Sequence, residues 1–242
     1  MVEKLKSILR RTSWSLVLKA VIFGVAWWVL PFWVFLIIAL YLYFVPIGGA
    51  GKVSAPFFVL LLISLFEEQG IIGAIIFAAI FYFIILIRDL IIIDRRSAYE
   101  VLVLALSYLL LRNFFLTAGG SFNVWSLIYS MIVACAVSAM VASFIKNFSA
   151  APEATDTSEF RSFRRMLGWM IFFITWQLLI VGLFLPLDFL YQSSVVFLVA
   201  VILIDLVPQY VFGELTRAKV LATGSILFSL LTIVAASARW TL

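Results

Sequence analysis

The chain has 242 residues and a net charge of +5; 66% of its residues are apolar or aromatic and only 12% are charged, and its mean hydropathy is +1.22. A soluble domain carries about 25% charged residues, so this composition excludes a soluble globular enzyme, a disordered chain and a secreted disulfide scaffold. It reads instead as an all-α polytopic transmembrane helix bundle, a single integral membrane domain over residues 1–242.

The basic residues sit in short loops between apolar runs, which sets nucleic acid aside as a partner and leaves the lipid bilayer. The chain has no histidine and one cysteine, Cys135. An intrachain disulfide is therefore excluded, and with His-based and thiol-based sites missing no catalytic residue, metal or cofactor is expected.

In chain order, residues 1–13 place Val2, Leu5, Ile8 and Leu9 at helical spacing with Lys4, Lys6, Arg10 and Arg11 between them, the pattern of an interfacial amphipathic helix. Leu16 to Pro46 is far longer than a signal peptide's apolar region of about 7–15 residues. It is either one tilted, kinked span or two short segments broken at Pro31. The turn Gly48-Gly49-Ala50-Gly51-Lys52 leads to Ala55–Phe66, too short to cross a hydrocarbon core of about 30 Å and therefore read as re-entrant or interfacial. Six further spans follow, at 71–87, 98–117, 122–145, 166–187, 194–212 and 220–238, which makes seven with the first. The longest polar stretch, residues 146–165, is a loop ending in Asp156-Thr157-Ser158-Glu159, an N-cap pattern with a carboxylate three residues on.

Orientation follows from the basic residues. Lys4, Lys6, Arg10, Arg11, Arg88, Arg95, Arg96, Lys146, Arg161, Arg164, Arg165, Arg217 and Lys219 fall on one side of this threading, against only Lys52 and Arg239 on the other. The N-terminus is therefore cytoplasmic. Splitting Leu16–Pro46 into two spans and also counting Ala55–Phe66 as one restores the later loops and gives a nine-span alternative. The compact loops favour the plasma membrane of a bacterium or archaeon.

Polar residues inside a bilayer are the functional candidates. Asp205 lies about 17 Å into the 194–212 run at about 1.5 Å per residue, with Pro208 freeing a backbone carbonyl and Gln209 on the same face at i+4. Gln177 sits eleven residues into the preceding antiparallel helix, at a similar expected height. These four residues form a candidate proton or cation site; the competing reading is that Asp205 is a hydrogen-bonded packing contact. Secondary candidates are Arg112, expected to snorkel to the outer interface, and the pair Glu67 and Glu68, either a metal-binding or general-base pair or a marker of the outer interface. Glu67, Glu68 and Gly73 resemble the first motif of the CAAX-protease and bacteriocin-processing family, which has Arg at the position of Ile72 and uses histidine in its later motifs; this chain has no counterpart for those motifs.

Ser130, Ala134, Ser138 and Ala142 recur every four residues, a small-residue stripe that allows close helix packing. Trp14, Trp27, Trp28, Trp33, Trp125, Trp169 and Trp240 lie near span ends or the Pro31 break, where they read as interface anchors. Three function classes follow. The favoured one is a non-enzymatic membrane subunit or scaffold acting through helix–helix contacts with a partner membrane protein or further copies of itself. The alternative is a small transporter or channel using Asp205 and Gln177. Least supported is an intramembrane enzyme using Glu67 and Glu68.

Overall fold

The structure is a computed structural model that describes residues 14–45, 53–89, 95–118, 123–148 and 158–238. The expected amphipathic helix at 1–13, the turn at 48–52, Asp156, Thr157 and Trp240 lie outside the described residues. Among the described residues the chain is helical throughout, with no strand: α1 Trp14–Val29, α2 Phe32–Phe44, α3 Ser54–Phe66, α4 Ile71–Arg88, α5 Arg95–Ala118, α6 Val124–Phe148, α7 Ser158–Leu183, α8 Phe189–Val211 and α9 Arg217–Ser237. Six of these helices, α4 to α9, are long and apolar enough to cross a membrane, and they mark an integral, multi-pass membrane protein. The segment 16–46 is two helices, because Pro31 cannot donate to the ladder and the chain bends at Leu30. α1, α2 and α3 are each shorter than a full span.

The chain packs as two compact units, Met1–Ala98 and Tyr99–Leu242. In the first, α1 and α2 form a hairpin: the Phe23 ring meets Phe35 at 5.1 Å, and Lys19 Nζ donates to the Val45 carbonyl at 2.7 Å. α3 starts beside the end of α2, where Phe57 stacks on Tyr43 at 4.0 Å, and returns to the end of α1, where Trp27 Nε1 donates to the Ser64 carbonyl at 3.1 Å. α4 then runs back along α1, with Phe23 stacked on Phe81 at 4.1 Å. The four helices thus alternate in direction.

Gly24 explains how closely α1 and α4 approach. A Cβ there would lie 2.7 Å from the Ala74 carbonyl oxygen and 2.9 Å from the Ala78 Cβ, so only glycine lets the backbones meet. Gly73 similarly leaves room for the Trp27 ring, which a Cβ would strike at 2.8 Å. Trp27 is consequently buried at 1% exposure, not anchored at an interface, whereas Trp14, Trp33 and Trp125 are at least 75% exposed. The indole N–H is satisfied inside by Ser64, which removes the usual reason for an interfacial position.

The second unit begins with α5 and α6 as an antiparallel pair. Tyr99 Oη donates to Ser143 Oγ at 3.0 Å near one end, and Tyr129 Oη donates to Asn113 Oδ1 at 2.7 Å near the other. Asn123 and Ser126 cap α6 reciprocally: each backbone N–H meets the other's side-chain oxygen, at 2.9 and 2.7 Å. α7 lies along α6, joined by Trp176 Nε1 donating to Ser130 Oγ at 3.1 Å. α7 turns into α8 through a short loop closed by Gln192 Nε2 donating to the Leu185 carbonyl. α8 begins at Phe189, capped by Asp188, and ends at Val211; just beyond it Gly213, with a φ of 71°, lets the Glu214 N–H return to the Gln209 carbonyl. α9 starts at its cap Thr216 and packs on α8.

Candidate functional site

Asp205 lies on α8, half-buried, and holds two donors. Gln209 Nε2 donates to Oδ1 at 2.6 Å, one turn along the same helix, and Thr223 Oγ1 of α9 approaches Oδ2 at 3.5 Å. Pro208 is buried between them in sequence. Gln209 Oε1 is buried without a hydrogen-bond partner among the described residues. The carboxylate therefore joins α8 to α9, a role suited to one acidic group with two side-chain donors.

Gln177 is not part of this group. It is exposed on α7, and no hydrogen bond joins it to Asp205 among the described residues. The reason is depth. α8 starts at Phe189, five residues before the run beginning at Ser194, so Asp205 lies about 24 Å along its helix from the α7–α8 loop, while Gln177 is only six residues, about 9 Å, from that loop. The polar partner comes instead from α9, through Thr223.

Glu67 and Glu68 follow α3. The Glu67 N–H closes that helix on the Ile63 carbonyl; Glu67 is half-buried and Glu68 exposed. The adjoining Gln69 donates to the Leu30 carbonyl at 3.2 Å, occupying an acceptor that the break at Pro31 leaves free. Among the described residues no group of three or more Cys, Asp or Glu side chains could hold a metal ion. Arg112 is half-buried in the later part of α5. Of the small-residue stripe on α6, Ser130 and Ala134 are fully buried, with Ser130 receiving the Trp176 indole; Ser138 and Ala142 are half-buried.

Two features escape the sequence reading. The first is Arg88, which the sequence places just past the 71–87 span among the basic loop residues but which is the last residue of α4, with a side chain 0% exposed. Its Nε donates to Asp89 Oδ1 at 2.6 Å, its Nη1 to the Tyr43 carbonyl, and its guanidinium carbon lies 5.4 Å from the centre of the Tyr43 ring, a cation–π contact. Nη2 is buried without a partner among the described residues. The adjacent Asp89 is the only local hint of a charge that can be held inside.

The second is the outer face of α9. Among the described residues Leu227 alone is buried in this helix, while Leu221 at 70% and Phe228 at 74% are exposed. Thr223, Leu227, Leu231 and Val234 form its covered or half-covered side. On the opposite side Ala218, Ala222, Ser225, Ser229, Thr232 and Ala236 are all exposed, alternating at four- and three-residue steps. Two of the hydroxyls on this face are satisfied within the helix: Ser229 donates to the Ser225 carbonyl at 2.9 Å and Thr232 to the Phe228 carbonyl at 2.8 Å. The 4–3 spacing is visible in the sequence; that this face has no neighbour among the described residues of the second unit is not. Compared with protein-family models, with curated protein sequences and with solved structures, the chain matches none of them.

Proposed function

We propose that the chain is a non-enzymatic membrane subunit or scaffold acting through helix–helix contacts, with α9 as the helix that receives a transmembrane helix of a partner protein. The observation that carries this reading is the exposed small-residue face of α9, turned away from α8. Lipid covers an apolar face at no cost, so exposure alone asks for no partner. A continuous row of small residues at alternating steps of four and three is different, because it lets a second helix approach closely at a left-handed crossing of about +20°. A photo-crosslinking residue at Ser229, introduced in the native membrane, tests this reading: a discrete polypeptide adduct is expected, absent when the probe is at exposed Ile75. Adducts with lipid alone at Ser229 would overturn it.

A second reading is favoured by one feature, the Gln209 Oε1 beside Asp205, which has no hydrogen-bond partner among the described residues. An acidic group and a free acceptor at neighbouring positions of one helix can bind a proton or small cation, which keeps a small transporter or channel as the alternative; loss of coupled flux in Asp205→Asn at unchanged expression would favour it.

For topology we read α1 to α4 as four passes, the first three of them short, nine in all, with the N-terminus cytoplasmic in a bacterial or archaeal plasma membrane. The alternating directions of α1 to α4 support this count, and it moves Lys52 to the cytoplasmic side, leaving Arg239 as the single basic loop residue outside. Short helices of 13 residues, about 20 Å long, are accommodated by local thinning of the bilayer.

A further inference from the structure

A groove of about 770 Å³ runs between α6 and α7 on the outside of the second unit, within the size range of about 300–1,000 Å³ of small-molecule sites. Its α7 wall is a single helical face from Arg165 through Gly168, Trp169 and Phe172 to Trp176, and its α6 wall includes Cys135 and Ser138. The lining is apolar along its length and carries its one charge, Arg165, at one end.

We propose that this groove binds one anionic phospholipid, with an acyl chain between α6 and α7 and the phosphate on Arg165. Three observations point to that occupant. From Arg165 to Trp176 is eleven residues, about 17 Å along the helix, which matches one leaflet, half of a hydrocarbon core of about 30 Å. The lining ends at Trp176, whose indole donates to Ser130, so the groove is the length of one acyl chain in one leaflet and shorter than the seam a whole transmembrane helix would need. At the shallow end Arg165 is exposed, makes no hydrogen bond or ion pair among the described residues, and belongs to the basic end of α7 that the sequence places at the headgroups, where a guanidinium complements a phosphate.

Gly168 supplies the opening. A Cβ at this position meets nothing within 4 Å, so the space over it is empty, and a larger side chain enters the groove without touching the rest of the fold. Gly168→Leu is therefore a groove-filling variant that also gains helix propensity.

The test uses the full chain in nanodiscs of phosphatidylcholine containing a minor fraction of phosphatidylglycerol, released into native mass spectrometry. The wild type is expected to retain one phosphatidylglycerol per chain in preference to phosphatidylcholine. Arg165→Gln should lower that preference about fivefold while lipid is still retained, and Gly168→Leu should abolish retention of either lipid. An independent readout needs no variant: Cys135, the only cysteine, is exposed and lines the groove, so a bilayer-soluble maleimide should label it more slowly when phosphatidylglycerol is present than in phosphatidylcholine alone. Equal retention of the two lipids, retention of detergent only, a polypeptide retained in the groove, or Cys135 labelling indifferent to lipid charge would each overturn the proposal.

Discussion

Replacing Gly24 by alanine should force α1 away from α4. The added methyl would sit 2.7 Å from the carbonyl oxygen of Ala74 and 2.9 Å from the Ala78 Cβ, and a backbone oxygen within a helix cannot rotate aside. Overpacking of this kind costs about 1–3 kcal/mol, against which alanine's better helix propensity returns up to about 1 kcal/mol, a net loss of about 1–2 kcal/mol. Two other glycines calibrate the argument. At Gly182 the Cβ would meet the Phe115 ring at 2.6 Å and a Val196 methyl at 2.7 Å; these are side chains that can shift, and the loss should be smaller, about 0.5–1 kcal/mol. At Gly168 nothing lies within 4 Å, so alanine should stabilise by up to about 1 kcal/mol. Unfolding of the purified variants in mixed micelles, titrated with a denaturing detergent and followed by tryptophan fluorescence, should rank them Gly168→Ala, wild type, Gly182→Ala, Gly24→Ala from most to least stable. A Gly24→Ala protein as stable as Gly168→Ala would refute the close approach of α1 and α4.

Arg88→Met should destabilise the chain by about 1–3 kcal/mol, because it strips the donor from the buried Tyr43 carbonyl and the partner from Asp89. Arg88→Lys should recover only part of that loss, since one ammonium cannot reproduce the guanidinium fork; in the same titration, an Arg88→Met protein no weaker than wild type would show that the buried charge holds nothing. Thr223→Val should cost about 0.6 kcal/mol by removing the α9 donor to Asp205, and its double-mutant cycle with Asp205→Asn should show coupling; strict additivity would mean that the two do not interact. For the nine-pass topology, Lys52→Cys in a Cys135→Ala background should react with an impermeant maleimide only from the side that carries the Lys146–Arg165 loop, and labelling from the opposite side would return the count to seven.

Much of the architecture is legible in the sequence because apolar runs and their polar ends obey a simple length rule. The run Ile71 to Ile87 becomes α4, Ile71–Arg88, and the break at Pro31 falls where the missing N–H requires it. Burial of individual residues is less accessible, since it depends on segments far apart in the chain. Arg88 looks like a loop residue until the Tyr43 carbonyl, 45 positions away, is brought to its Nη1. Trp27 looks like an interface anchor until Gly73 and the Ser64 carbonyl make room and a partner for it. Within the candidate site, the Asp205–Gln209 contact follows from helical spacing alone. The match of Asp205 with Gln177 depended on where each helix begins, and the Asp188 cap moved the start of α8 by five residues, enough to change which residues share a height. The small-residue stripe on α6 meets α7 at Ser130, as its spacing implies, whereas the stripe on α9 is distinguished only by having no neighbour among the described residues of its own unit.

Native mass spectrometry of the protein extracted gently from its own membranes shows directly whether α9 holds a partner, with no need to know a substrate. A stoichiometric second polypeptide is expected, and it should be lost when bulky residues replace Ser225 and Ser229 on the outer face of α9. A lone chain, with or without bound lipid, and unaffected by those substitutions, would contradict the partner-binding role of α9.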